Sequence, residues 1–108
     1  MTTTWESSAW VEVAEEPGTL ILRLCGELDM ATRDLIESAV MAAIPTADAL
    51  ILDLGDLAFC DSSGVAMFLA AREKAEAEGT VLTLGNLQPS VARVFTISGV
   101  DQVLAITE

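Results

Sequence analysis

Histidine is absent from all 108 residues. That removes the imidazole base of Ser-His-Asp and Cys-His catalysis and the usual zinc ligands of enzymes. Cysteine is scarce: Cys25 and Cys60 are the only two. Their spacing fits no familiar metal motif, and no catalytic, metal or cofactor residues are expected. In a reducing compartment such cysteines read as buried packing thiols. Basic residues are few, five Lys and Arg against seventeen Asp and Glu, for a formal charge of −12. That balance repels phosphate backbones and anionic membrane surfaces, so neither nucleic acid nor membrane is an expected partner, and a basic protein surface fits better. No apolar run approaches the roughly 20 residues of a membrane-spanning helix, because Arg23, Arg33 and the acids interrupt each candidate. The first residues, "MTTTWESSAW", lack the basic start and apolar centre of a secretion signal, which points to a cytoplasmic address.

What is present is apolar and aliphatic. Apolar residues make up 52% of the chain, yet only two Trp and three Phe contribute. The core must therefore come from Leu, Val, Ile and Ala. The length suits one domain over residues 1–108, with a core from about 9 to 106. "SAWVEVAEE" alternates apolar and polar residues from Trp10 to Val13, and Pro17-Gly18 turns the chain into "TLILRLCGEL", so a β-hairpin is expected. The period then changes. Leu35, Ile36, Ala39, Val40 and Ala43 form the apolar face of a helix that Pro45 ends. "ALILDLGDLAF" is a nearly continuous apolar run, as in a central strand covered on both faces. A helix follows from Ser62 to a stop at Gly79, then the strand "TVLTLGN" and a helix over "QPSVARVFTISG". The tail "VDQVLAI" fits either a short strand or a short helix. The order β-β-α-β-α-β-α plus a tail defines an α/β fold, a mixed sheet with helices packed on it. Crossovers of this kind bring the loops "CGELDMAT" and "FCDSSG" to one rim, where such domains place function. Cys25 and Cys60, each preceding one of these loops, are expected on that same rim.

The stretch "CDSSGV", residues 60–65, concentrates the chemistry. It is not a nucleophile elbow, which requires Gly-x-Ser-x-Gly and a base. It is not a nucleotide loop, since no second glycine stands at the required spacing and no lysine joins it. Asp, Ser and Ser ahead of a helical run do suit a helix N-terminus, where a side-chain oxygen satisfies an orphan N–H. On that basis Ser62→Ala is expected to cost at most about 1–2 kcal/mol. A hydroxyl at a helix start also suits modification, because the free N–H groups and helix dipole favour an added phosphate. Gly64, lacking a side chain, would let a kinase or partner approach closely.

Three segments together, "GELDMAT", "LILDLGDLAFCDSSGVAMFLAA" and "GTVLTLGNLQPSVARVFTISGVDQVLAI", resemble the bacterial anti-sigma-factor antagonists of the STAS domain family. The likeness runs from about Val11 to Ile106. It implies the same α/β fold and a non-enzymatic partner-switching role: the unphosphorylated form binds an anti-sigma factor with serine kinase activity and frees a sigma factor. Carried over, Ser62 is the phosphorylation site, with Ser63 second in line. Asp29, Asp61, Ser62, Ser63 and Gly64 are the partner-binding residues, and a phosphatase reverses the modification. Met30 after Asp29, Cys60 before Asp61, and Thr96-Ile97 depart from the residues common in the family. Two other classes stay open, a scaffold in a larger signalling or transport assembly and a small-ligand-binding domain using the same rim.

Overall fold

The computed structural model describes residues 8–107. Strand β1 (Ala9–Glu16) and strand β2 (Thr19–Leu28) form the expected antiparallel hairpin, with Glu16 opposite Thr19 at the turn and Trp10 opposite Cys25. Helix α1 (Arg33–Ala43) carries the chain back to strand β3 (Ala49–Asp53), which pairs parallel to the first half of β2. Strand β4 (Leu57–Cys60) pairs parallel to the second half of β2. Helix α2 (Ser62–Glu78), strand β5 (Val81–Gly85), helix α3 (Pro89–Ser98) and a two-residue strand β6 (Ile106–Thr107) complete one mixed sheet in the order β1-β2-β3-β5-β6, with β4 beside β2.

The strand period of two decides which side chains form the core. Leu22 and Leu24 of β2, Leu50 and Leu52 of β3 and Leu84 of β5 are all buried on one face. They meet Ile36 and Val40 of α1, Met67, Phe68 and Ala71 of α2, and Val91 and Phe95 of α3 in a single cluster. Phe68 and Phe95 pack edge to face with ring centroids 5.5 Å apart, which joins α2 to α3. The charged Arg23, facing the other way, meets Glu12, Asp53 and Asp56 at 3.4, 3.8 and 3.6 Å. Such surface pairs contribute little to stability.

Four expectations change here. The run "ALILDLGDLAF" is two strands, not one. The Asp53 carboxylate accepts the Gly55 N–H at 2.9 Å, and the Leu57 N–H closes the turn onto the Leu54 carbonyl at 3.0 Å. Strand β2 bends with it through a bulge at Gly26, whose φ of 94° and contact with the Ser8 carbonyl leave no room for a Cβ. Nor is β3 covered on both faces, since Ile21, Arg23, Ile51 and Asp53, which alternate with the buried leucines, are none of them buried. Leu35, expected in the core, is 55% exposed. The tail resolves into a short 3-10 turn, Val100–Gln102, followed by β6 on β5.

Candidate functional site

The rim forms where β2 and β4 end together. Glu27 pairs with Phe59 and Leu28 with Cys60, and the Asp61 N–H donates to the Leu28 carbonyl at 3.1 Å. The next residues along each strand, Asp29 and Asp61, therefore open two adjacent loops, and the loops "GELDMAT" and "FCDSSG" share one rim as expected.

Each aspartate organises its own loop. Asp29 Oδ1 accepts the N–H groups of Ala31 at 2.9 Å and Thr32 at 3.1 Å. Thr32, 8% exposed, accepts the Asp29 N–H at 3.0 Å and donates its hydroxyl to the Glu27 carbonyl at 2.6 Å. This pins the chain between β2 and α1. Asp61 is the N-cap of α2: its Oδ1 accepts the N–H groups of Ser63 at 2.9 Å and Gly64 at 3.2 Å, and the Ser63 hydroxyl at 2.6 Å. The Ser63 hydroxyl bond, with the two backbone N–H groups, holds the Asp61 carboxyl below the usual carboxylate range against the opposing effect of burial.

The two serines consequently differ. Ser63 is half-buried and its hydroxyl is committed to Asp61. Ser62, the first residue of α2, is exposed, and its hydroxyl has no hydrogen-bond partner among the described residues. The cap is Asp61, so the N-cap cost expected for Ser62→Ala belongs to Asp61→Ala. Asp61→Ala should cost about 1–2 kcal/mol at neutral pH, and Ser62→Ala less than about 0.5 kcal/mol. Because the folded state lowers the Asp61 pKa, its stabilisation is complete above the unfolded value near 3.9 and is lost as pH falls through the folded value. The stability gap between the native protein and Asp61→Ala, measured by denaturant unfolding, should therefore narrow in acid. An unchanged gap across that range would mean that the charge is not what caps α2.

Gly64 also needs correction. It is buried, not open to a partner. A Cβ there would stand 2.6 Å from Cys60 Sγ and 2.7 Å from Leu28 Cγ. The missing side chain lets α2 seat directly on the ends of β2 and β4. Cys60, 2% exposed, is part of that seat, and its thiol is pushed up to about 12 by burial and then by the Asp61 charge. Burial and, after it, the charges of Glu12 and Asp56 also raise the Cys25 thiol. Cys25 is not on the rim. It lies three residues before Leu28, the partner of Cys60. At about 3.3 Å per residue that is roughly 10 Å, beyond the reach of a disulfide. Sequence reasoning named Asp61, Ser62, Ser63 and Gly64 together but missed their division of labour, and it missed Thr32. The one available signal was that Asp is among the best N-caps and directly precedes the helical period.

These features define a class first, a single α/β domain whose parallel strands end in a serine-bearing rim. The family follows from comparison: residues 11–108 match the STAS domain, and the chain belongs to the STAS-domain family. It is 31% identical over 98 residues to an anti-sigma F factor antagonist of Paenibacillus polymyxa, covering 89% of this chain and 84% of the relative. The fold is similar to that of an anti-sigma factor antagonist from Mycobacterium paratuberculosis, with a TM-score of 0.83, 27% identity, and 92% of this chain and 85% of that chain covered. It is also similar to the anti-sigma factor antagonist SpoIIAA. The unphosphorylated form gives a TM-score of 0.73 at 28% identity over 92% of this chain and 89% of that one. The phosphorylated form, a Bacillus cell fate determinant, gives 0.67 at 27% identity over 92% of each chain. Among the described residues no helix is long and apolar enough to cross a membrane.

Proposed function

We propose that this protein is an anti-sigma factor antagonist switched by phosphorylation of Ser62. In the unmodified state it binds an anti-sigma factor, which then releases a sigma factor. The anti-sigma factor is itself a serine kinase, and the phosphate it adds to Ser62 ends the complex until a phosphatase removes it. The protein contributes no catalysis of its own. The observation that carries this reading is the contrast between the two serines: Ser62 exposed, its hydroxyl without a partner among the described residues, and Ser63 bound to the cap. The names of the relatives, and the existence of SpoIIAA in phosphorylated and unphosphorylated forms, support it.

The chemistry is compatible with the geometry. Ser62 Oγ forms the new O–P bond as the terminal phosphoryl leaves a nucleoside triphosphate held by the kinase. The hydroxyl proton passes to a base of the kinase, since Asp61, with its lowered pKa and engaged Oδ1, is a poor base. The product phosphate sits at the N-terminus of α2, where the helix dipole favours negative charge even though Asp61 already takes the Ser63 and Gly64 N–H groups. Asp29 takes part by fixing the neighbouring loop through Oδ1, and its Oδ2 accepts no hydrogen bond among the described residues, which leaves it open to the anti-sigma factor.

Phosphosite mapping after incubation with a candidate anti-sigma kinase and ATP tests this. The label should lie on Ser62, vanish in Ser62→Ala and persist in Ser63→Ala. Labelling that survives Ser62→Ala and disappears in Ser63→Ala would assign the switch to the other hydroxyl. No labelling by any anti-sigma kinase that binds the protein would remove phosphorylation from the account.

A further inference from the structure

Met30 stands next to the switch and points away from the protein. It is 83% exposed, more than any other large apolar side chain described. An isolated exposed methionine is ordinary on a protein surface, but this one is held on a fixed support. The turn that carries it is tied by the Asp29 carboxylate to Ala31 and Thr32, by the Arg33 N–H to the Asp29 carbonyl at 2.8 Å, and by the Thr32 hydroxyl to Glu27. Backbone freedom has therefore already been lost before any partner arrives, while the side chain stays flexible enough to fit a pocket.

Its position relative to Ser62 follows from the strand register. Leu28 and Cys60 are paired neighbours, and Met30 and Ser62 each lie two residues beyond. Their Cα atoms are therefore no more than about 20 Å apart. A standard interface covers about 800 Å² per partner, a disc roughly 32 Å across. That separation is smaller than the width of the disc, so one partner seated over the rim can cover both Ser62 and Met30. One helical turn below Ser62, at i+4 on the same face of α2, Ala66 is exposed. Its short side chain offers a flat surface for close approach. The exposed charged groups around this centre are acidic, Glu27 on β2 and Asp34 in the first turn of α1, while Phe59, paired with Glu27, and Leu35 add exposed apolar surface. An apolar projection beside a flat helix face, with acids at its edge, matches a partner with an apolar pocket and a basic margin.

We infer that Met30 is an apolar anchor of the anti-sigma factor interface, inserted into a pocket of the kinase that modifies Ser62 while the basic margin of that pocket meets Glu27 and Asp34. This rests on the reading of the protein as an anti-sigma factor antagonist. It adds to that reading an apolar contact beside Ser62.

The test uses the full chain and the anti-sigma kinase that labels Ser62. Burying a methionine is worth about ten- to a hundredfold in affinity. Met30→Ser should lose that factor through faster dissociation, Met30→Leu should retain most of it, and Ala66→Gln should weaken binding by obstructing close approach. Val81→Ser is the control, since Val81 is 63% exposed but stands at the opposite end of the parallel strands. Melting curves should coincide for the native protein and the Met30 variants. Unchanged affinity of Met30→Ser, with the native protein still binding and still labelled on Ser62, overturns the inference and leaves the function standing. Native protein that neither binds nor is labelled overturns both. A native dimer converted to monomer by Met30→Ser would assign the patch to a second copy of this chain and also overturn the inference.

Discussion

Phosphorylation of Ser62 is expected to lower affinity for the anti-sigma factor at least about a hundredfold, which corresponds to roughly 2.7 kcal/mol. The modification adds about −1.5 to −2 charges at pH 7. They arrive one residue from Asp61 and beside the loop that Asp29 opens. Within the domain the added charge is tolerated, because Ser62 is exposed and the N-terminus of α2 favours anions. In the complex the same phosphate must be stripped of water next to two carboxylates, and that penalty falls on the bound state alone. The melting temperature of the phosphorylated domain should therefore stay within a few degrees of the unmodified one while binding collapses. Equal affinities for the two forms, measured by calorimetric titration, would mean that the serine has no influence on the interface.

The second large effect is expected at Gly64. Gly64→Ala should destabilise the domain by about 1–3 kcal/mol, the usual penalty for forcing a methyl group into a packed site. The added Cβ would meet Cys60 Sγ at 2.6 Å and Leu28 at 2.7 and 2.9 Å. Neither neighbour can swing into solvent, since Cys60 is 2% exposed and Leu28 fully buried. For a domain of this size each kilocalorie lowers the melting temperature by about 4–8 °C. Relief comes by lifting the first turn of α2 off the rim, which also moves Ser62 relative to Asp29. Labelling by the kinase should therefore fall along with stability. Removing the obstacle in the double variant Gly64→Ala/Cys60→Ala should recover part of the labelling, a coupling expected only for residues in contact. If Gly64→Ala melts like the native protein, α2 does not seat as described.

The sequence carried the fold further than the site. The Pro17-Gly18 turn, the period change after Leu28 and the stop at Gly79 each announced an element that the structure contains. The division of "ALILDLGDLAF" was less visible, because Gly55-Asp56 interrupts the apolar run only briefly. What splits it is the Asp53 carboxylate binding Gly55 and the bulge in β2, a partner distant in sequence. Leu35 was misplaced for a related reason: at helical period it fits the apolar face, but the sheet covers only the Ile36 and Val40 side. At the rim, pattern reading marked residues 60–65 and the Asp29 loop correctly as neighbours. It could not apportion three adjacent polar side chains, because which oxygen caps α2 depends on the extended backbone at Asp61, φ −101° and ψ −170°. Nor could it show that Gly64 serves Cys60 and Leu28 instead of a visitor, since that contact joins two separate strands to a helix.

The most direct measurement of the central claim is a displacement experiment with three purified proteins. A complex of the candidate anti-sigma kinase with its sigma factor is mixed with this protein without ATP, and free sigma factor is quantified by size separation. The unmodified protein and Ser62→Ala should each release sigma factor in proportion to the amount added, while the Ser62-phosphorylated form should release little. Sigma factor that stays bound in the presence of excess unmodified protein, or that is released equally by the phosphorylated form, would contradict a switch built on Ser62.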